Sequence, residues 1–214
     1  MMNTYQHVKV GLLGLSLLMG PAGAAKLPEP VVIHDPVVLA CVRDKLGLAE
    51  DVQPNRQQLE QIEYLNCDHR TAMRQANLRE FAALPNLVSL NLSATGMTDL
   101  HELSELQNLH TLFLNDNGLS DEDIQVLHEL PGLQTLMLAN NQLTQVEVLA
   151  GLTQLKELDL KHNQLVDTQP LKALPKLLWL DISYNCMEQV PTFNFIDAYK
   201  WGQLKPGQCP AGKP

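Results

Sequence analysis

The sequence of 214 residues is poor in aromatic side chains, at 5%, and in positive charge, with 15 Lys and Arg against 24 Asp and Glu. A net charge of -9 argues against nucleic acid and anionic membranes as partners, because both require a basic surface. It is also an ordinary means of keeping an exported protein soluble. There are four cysteines, none in C-x-x-C metal-ligand spacing. Beyond residue 24 no apolar run approaches the ~20 residues a membrane-spanning helix needs. Catalytic signatures are missing as well. There is no G-x-S-x-G elbow and no glycine-rich phosphate loop. The histidines His34, His69, His101, His110, His128 and His162 never pair at i, i+4 with a second ligand. Asp121-Glu122-Asp123 lacks the alternating ligands and the turn glycine of a calcium loop. No enzymatic activity, cofactor or metal is expected.

What is present begins with a leader. His7 and Lys9 make a weakly basic start, Val10 to Met19 is apolar, Pro21 ends the run and Ala22-Gly23-Ala24 forms a small-x-small site. Residues 1–24 are therefore expected to be a signal peptide cleaved before Ala25, or alternatively before Lys26. No cysteine follows that site, so a lipid anchor is not expected. Residues 25–30 read as a linker. Residues 31–61 read as a helical cap. Asp35 is suited to cap a helix with Pro36 at its first position, and Val38, Leu39, Val42 and Leu46 share a face before Gly47 stops it. A second short helix is expected over Arg56 to Gln61.

The body of the chain is leucine at a fixed interval. The pattern L-x-x-L-x-L-x-x-N-x-L starts at Leu87, Leu109, Leu133, Leu155 and Leu177, at spacings of 22, 24, 22 and 22 residues. Ile62 to Cys67 is a degenerate first copy. A period of this length predicts a leucine-rich repeat solenoid over residues 62–190. Its short parallel strands line the concave side, and 3₁₀, helical or irregular returns form the convex side. The return after Ser120, two residues longer and opening on acids, predicts a true α-helix. Asn117, Asn141, Asn163 and Asn185 fall in one column, where a buried amide can satisfy backbone groups left open by the turn. Thr95 occupies that column in the repeat from Leu87. From Pro191 the period stops, and residues 191–214 read as a C-terminal cap. Phe193, Phe195, Ile196 and Trp201 supply its apolar cover, and the final Pro-Ala-Gly-Lys-Pro is expected to be disordered.

The register also pairs the cysteines. Cys67 and Cys186 stand in the first and last strands, five strand spacings or roughly 24 Å apart, whereas a disulfide spans about 4.4–6.8 Å between Cα atoms. Cys41–Cys67 and Cys186–Cys209 remain, one staple per end.

Side chains between the inward leucines face the concave side. Tyr64, Asn91, Phe113, Met137, Glu157, Asp159, Trp179 and Asp181 are the candidate contacts. No core needs Phe113, Met137 or Trp179 there, and exposed aromatic and Met side chains are common interface anchors. Glu157, Asp159 and Asp181 predict an acidic stripe suited to a basic patch on a partner.

The 22-residue repeats, together with Ile33-His34-Asp35-Pro36 leading through two helices to a degenerate strand, resemble the internalin-like leucine-rich repeat proteins over Val31 to Val190. That resemblance implies a rigid curved module binding a protein on its concave face. The sequence has no sortase signal, immunoglobulin-like domain or surface-anchoring module, so cell-wall display and host-cell invasion are not expected to carry over. A soluble, periplasmic or secreted monomer that binds a protein is the expectation. A carbohydrate-binding protein and a structural envelope component are the alternatives.

Overall fold

The structure, a computed structural model, describes residues 31–187, 192–193, 198–200 and 209. The expected signal peptide, the linker and most of the C-terminal cap lie outside those residues. Seven short strands form one parallel sheet in sequence order. They are β1 (Tyr64–Asn66), β2 (Ser89–Asn91), β3 (Thr111–Phe113), β4 (Thr135–Met137), β5 (Glu157–Asp159), β6 (Trp179–Asp181) and β7 (Ala198–Lys200). The register joins Leu65, Leu90, Leu112, Leu136, Leu158 and Leu180 into one row. All of them are buried, as is the second inward row Cys67, Leu92, Leu114, Leu138, Leu160 and Ile182. Alternation along each strand sends one set of side chains inward and the next outward. A repeat cannot bury its leucines alone, and stacking on its neighbours does so.

The returns are 3₁₀ turns at Leu78–Ala83, His101–Glu105, Gln125–Glu129, Glu147–Gly151 and Gln169–Ala173, each burying at least one apolar side chain against the core. The extra residues of the first repeat form another at Thr71–Gln75. The α-helix expected after Ser120 does not form. Gln125 N–H donates to the Glu122 carbonyl at 3.2 Å and Leu127 N–H to Ile124 at 3.0 Å, which is the tighter 3₁₀ spacing. The acids that resemble a helix start act as turn locks instead. Asp123 accepts from Ser120 N–H at 2.7 Å, and Asp121 accepts from the Thr144 and Gln145 N–H groups of the next repeat at 2.8 and 3.1 Å.

The N-terminal end is covered by α1 (Pro36–Leu46) and α2 (Arg56–Leu59). Asp35 accepts from the N–H groups of Val37 and Val38, and Gly47 ends α1 at φ 64°. The second oxygen of Asp35 accepts from Asn77 N–H at 2.9 Å, which ties the cap to the first return. Asp35→Ala removes all three bonds. It is expected to cost about 2 kcal/mol in urea denaturation, the upper end for a helix cap. A loss below about 0.5 kcal/mol would show that the cap is held by apolar contacts alone.

Both expected disulfides are present, with Cα separations of 5.6 Å for Cys41–Cys67 and 5.7 Å for Cys186–Cys209. Phe193 is buried, as expected of a closing residue. The sheet continues one strand further than the repeat pattern does. β7 pairs with β6 through Trp179 to Ala198, Leu180 to Tyr199 and Asp181 to Lys200. Parallel pairing uses backbone groups, so this strand forms without the leucine signature.

Candidate binding surface

An amide ladder joins successive repeats where the chain leaves the sheet. Asn141 accepts from Asn117 and Leu119 N–H and donates to the Leu114 and Leu138 carbonyls. Asn163 accepts from Leu143 N–H and donates to Leu138 and Leu160. Asn185 accepts from Leu165 N–H and donates to Leu160 and Ile182. Each amide thus bridges its own repeat and the one before. Thr95 is too short to bridge backward. Its hydroxyl donates within its own repeat to Leu92 at 2.8 Å and contacts Asn117 Oδ1 at 3.0 Å. The residue before each ladder position has positive φ, from His69 and Ala94 through Asp116, Asn140 and His162 to Tyr184. The chain turns off the sheet there.

A second column does equally local work. The side chain of the last strand residue accepts from the backbone N–H two residues on. Asn66 caps Asp68 at 3.3 Å, Asn91 caps Ser93 at 2.9 Å, Asp159 caps Lys161 at 2.9 Å and Asp181 caps Ser183 at 3.0 Å. These are Asx-type turns, a usual role for Asn and Asp where a strand ends. In this column β3 and β4 carry Phe113 and Met137, which face each other in register. Phe113 cannot accept a hydrogen bond, and the Met137 thioether is only a weak acceptor that makes no cap here. Ala139 N–H recovers one from the Asn115 side chain at 2.8 Å.

This arrangement corrects the expected acidic stripe. Asp181 is only 4% exposed, and its Oδ1 also accepts from the Ser183 hydroxyl. Asn91 and Asp159 are half-buried caps. Glu157 remains an exposed acid on the sheet face. The other expected contacts are where the pattern places them. Tyr64 is 59% exposed on β1, while Phe113, Met137 and Trp179 are half-buried on β3, β4 and β6.

The sequence did not single out a cluster on the rim. The rings of His162 and Tyr184 stack with centroids 4.3 Å apart and planes 7° from parallel, with Lys161 Nζ 5.5 Å from the Tyr184 centroid. The available signal was a ring at the same repeat position in consecutive repeats. On the convex side a groove is lined by Asp99, His101, Glu122, Asp123, His128 and Glu129. Asp99 there caps His101 N–H at 3.2 Å. Among the described residues no three His, Cys, Asp or Glu side chains are grouped to hold a metal ion, and no helix is long and apolar enough to cross a membrane.

A leucine rich repeat family model matches residues 107–165, and a second matches residues 154–177. Among solved structures, the chain superposes on an internalin, InlF of Listeria monocytogenes, with a TM-score of 0.62. Identity is 22%, over 84% of this chain and 59% of that one. The chain has an internalin-like leucine-rich repeat fold. The internalin-like solenoid also matches internalin C2 of the same organism, with a TM-score of 0.52 and 22% identity over 83% of this chain and 100% of that one. The leucine-rich repeat domain of APL1 matches with a TM-score of 0.50 and 23% identity over 59% of this chain and 36% of that one. A 65-residue segment is 37% identical to tubulin-folding cofactor E of Arabidopsis thaliana, covering 29% of this chain and 12% of that protein.

Proposed function

We propose that this chain is an exported, monomeric, non-enzymatic module that binds a protein on the concave face of its sheet. Phe113 and Met137 are the central anchors, Tyr64 and Trp179 flank them, and Glu157 adds charge selectivity. The observation that carries this reading is the exchange of a turn-capping Asn or Asp for Phe and Met on two adjacent strands. Four other strands in the same column keep the cap. Folding gains only the cross-strand contact of Phe113 with Met137 from this exchange, and at Phe113 it leaves the Asn115 N–H uncapped. A partner would gain a contiguous apolar centre of the kind that dominates interface energetics.

Phe113→Ala combined with Trp179→Ala is expected to weaken capture of the partner from an envelope extract by ~30-fold or more, with an unchanged circular dichroism spectrum. Undiminished capture would place the interface elsewhere on the molecule. Export is supported by the leader pattern of residues 1–24 and by two disulfides, which persist in oxidising compartments. N-terminal sequencing of the exported protein is expected to begin at Ala25. Recovery of protein that retains Met1 would refute cleavage.

A further inference from the structure

We propose that the centre of the concave face recognises a peptide bond. One backbone carbonyl of the partner accepts a hydrogen bond from the Asn115 N–H, and the apolar side chain beside it packs against Phe113 and Met137. This rests on the concave-face reading above and assigns the chemistry of its centre.

The six equivalent N–H groups, one per repeat, belong to Asp68, Ser93, Asn115, Ala139, Lys161 and Ser183. Five donate to a side-chain oxygen. The Asn115 N–H makes no hydrogen bond within the described protein, because the residue two before it is Phe113. The cap normally comes from a side chain standing on the concave face, so this N–H is addressed from that face. Asn115 cannot cap itself, because its Oδ1 is turned to Ala139 N–H. The centre therefore offers one isolated donor next to two apolar side chains on neighbouring strands.

The complement of an isolated donor is an acceptor that brings no donor of its own. A carbonyl meets that condition. A sugar hydroxyl can also accept, but it brings a hydrogen for which Phe113 offers no acceptor and Met137 only a weak one. In a polypeptide the carbonyl and the side chain branch from one Cα. Both can therefore reach the donor and the apolar pair without strain. The one turn N–H left uncapped, that of Asn115, is thus matched to a partner that supplies the acceptor on binding.

The test uses the mature protein, a random peptide display library and, in parallel, a glycan array. Two variants separate the components. Phe113→Asn restores the cap that Asn66 and Asn91 make, and Phe113→Leu keeps an apolar side chain without a cap. Selected peptides are expected to carry an apolar residue essential for binding. Phe113→Leu is expected to bind them within ~5-fold of the parent. Phe113→Asn is expected to lose ~30-fold or more while keeping its melting temperature, with Asn115 amide exchange slowed to the range of Ser93. In the parent, peptide saturation is expected to slow Asn115 amide exchange by ~10-fold and to leave Ser93 and Lys161 nearly unchanged. Peptide binding that depends on Phe113 yet leaves Asn115 exchange unaltered would overturn the donor assignment and keep the concave-face reading. Peptide binding indifferent to Phe113→Asn would overturn both. Binding of glycans and of no peptide would overturn the peptide-bond assignment.

Discussion

Asn163→Ala is expected to destabilise the protein by about 3 kcal/mol in urea denaturation under oxidising conditions. Asn163 is 2% exposed and makes four backbone bonds, accepting from Leu143 N–H at 3.1 Å and donating to Leu138 and Leu160 at 2.9 and 3.0 Å and, more weakly, to Lys161 at 3.4 Å. The losses are unequal. The Leu138 carbonyl keeps a bond from Asn141 and the Leu160 carbonyl keeps one from Asn185. The Leu143 N–H has no second partner. A buried orphan of this kind costs about 1–3 kcal/mol, and two weakened acceptors add to it. Asn163→Asp is expected to be at least as damaging. It keeps the acceptor for Leu143 but sets a carboxyl oxygen against two carbonyls. The shared acceptor gives a sharper test. Asn141→Ala with Asn163→Ala strips Leu138 of both donors, so the pair should exceed the sum of the singles by about 1 kcal/mol. A strictly additive pair, or a single loss under about 1 kcal/mol, would mean that the ladder is not the fixed framework of the solenoid.

The ladder was legible in the sequence because its demand is periodic. A buried turn that recurs every repeat needs the same donor and acceptor each time, so Asn recurs with the leucines. The disulfides were legible for a related reason, since a fixed strand spacing turns residue numbers into distances. β7 was not legible, because Ala198-Tyr199-Lys200 joins the sheet through its backbone. The segment after Ser120 misled because Ser followed by acids marks a helix start and a tight turn equally well. The capping column could have been read from Asn66, Asn91, Asp159 and Asp181, which share one repeat position. Viewed only as outward-facing acids they suggest a partner. Viewed as residues two before a turn N–H they are caps, and Phe113 and Met137 become the exceptions.

Replacing the N-terminal disulfide, Cys41→Ala with Cys67→Ala, is expected to cost about 4 kcal/mol. The cysteines are 26 residues apart, and a loop of that size gives about 3.5 kcal/mol by the chain-entropy estimate. Cys67 also fills an inward slot in the first repeat, and both cysteines are fully buried. Truncation therefore leaves a small void beside Leu65 and Leu92. The C-terminal pair spans 23 residues, and the same estimate again gives about 3.5 kcal/mol. Loop entropy does not separate the two staples, but exposure does. Cys186 and Cys209 are half-exposed while Cys41 and Cys67 are enclosed, and thiol exchange requires an attacking thiolate to reach a sulfur. Under a graded reductant, alkylation is expected to label Cys186 and Cys209 well before Cys41 and Cys67. The melting temperature should fall in two steps, the second coinciding with labelling of the buried pair. β7 lies between Cys186 and Cys209 in the chain, so the first step releases its tether and should raise amide exchange in β6 while leaving α1 and β1 protected. Simultaneous labelling of all four cysteines would mean that the two ends of the solenoid unfold as one unit. The nearest-neighbour stability expected of stacked repeats would then fail for this chain.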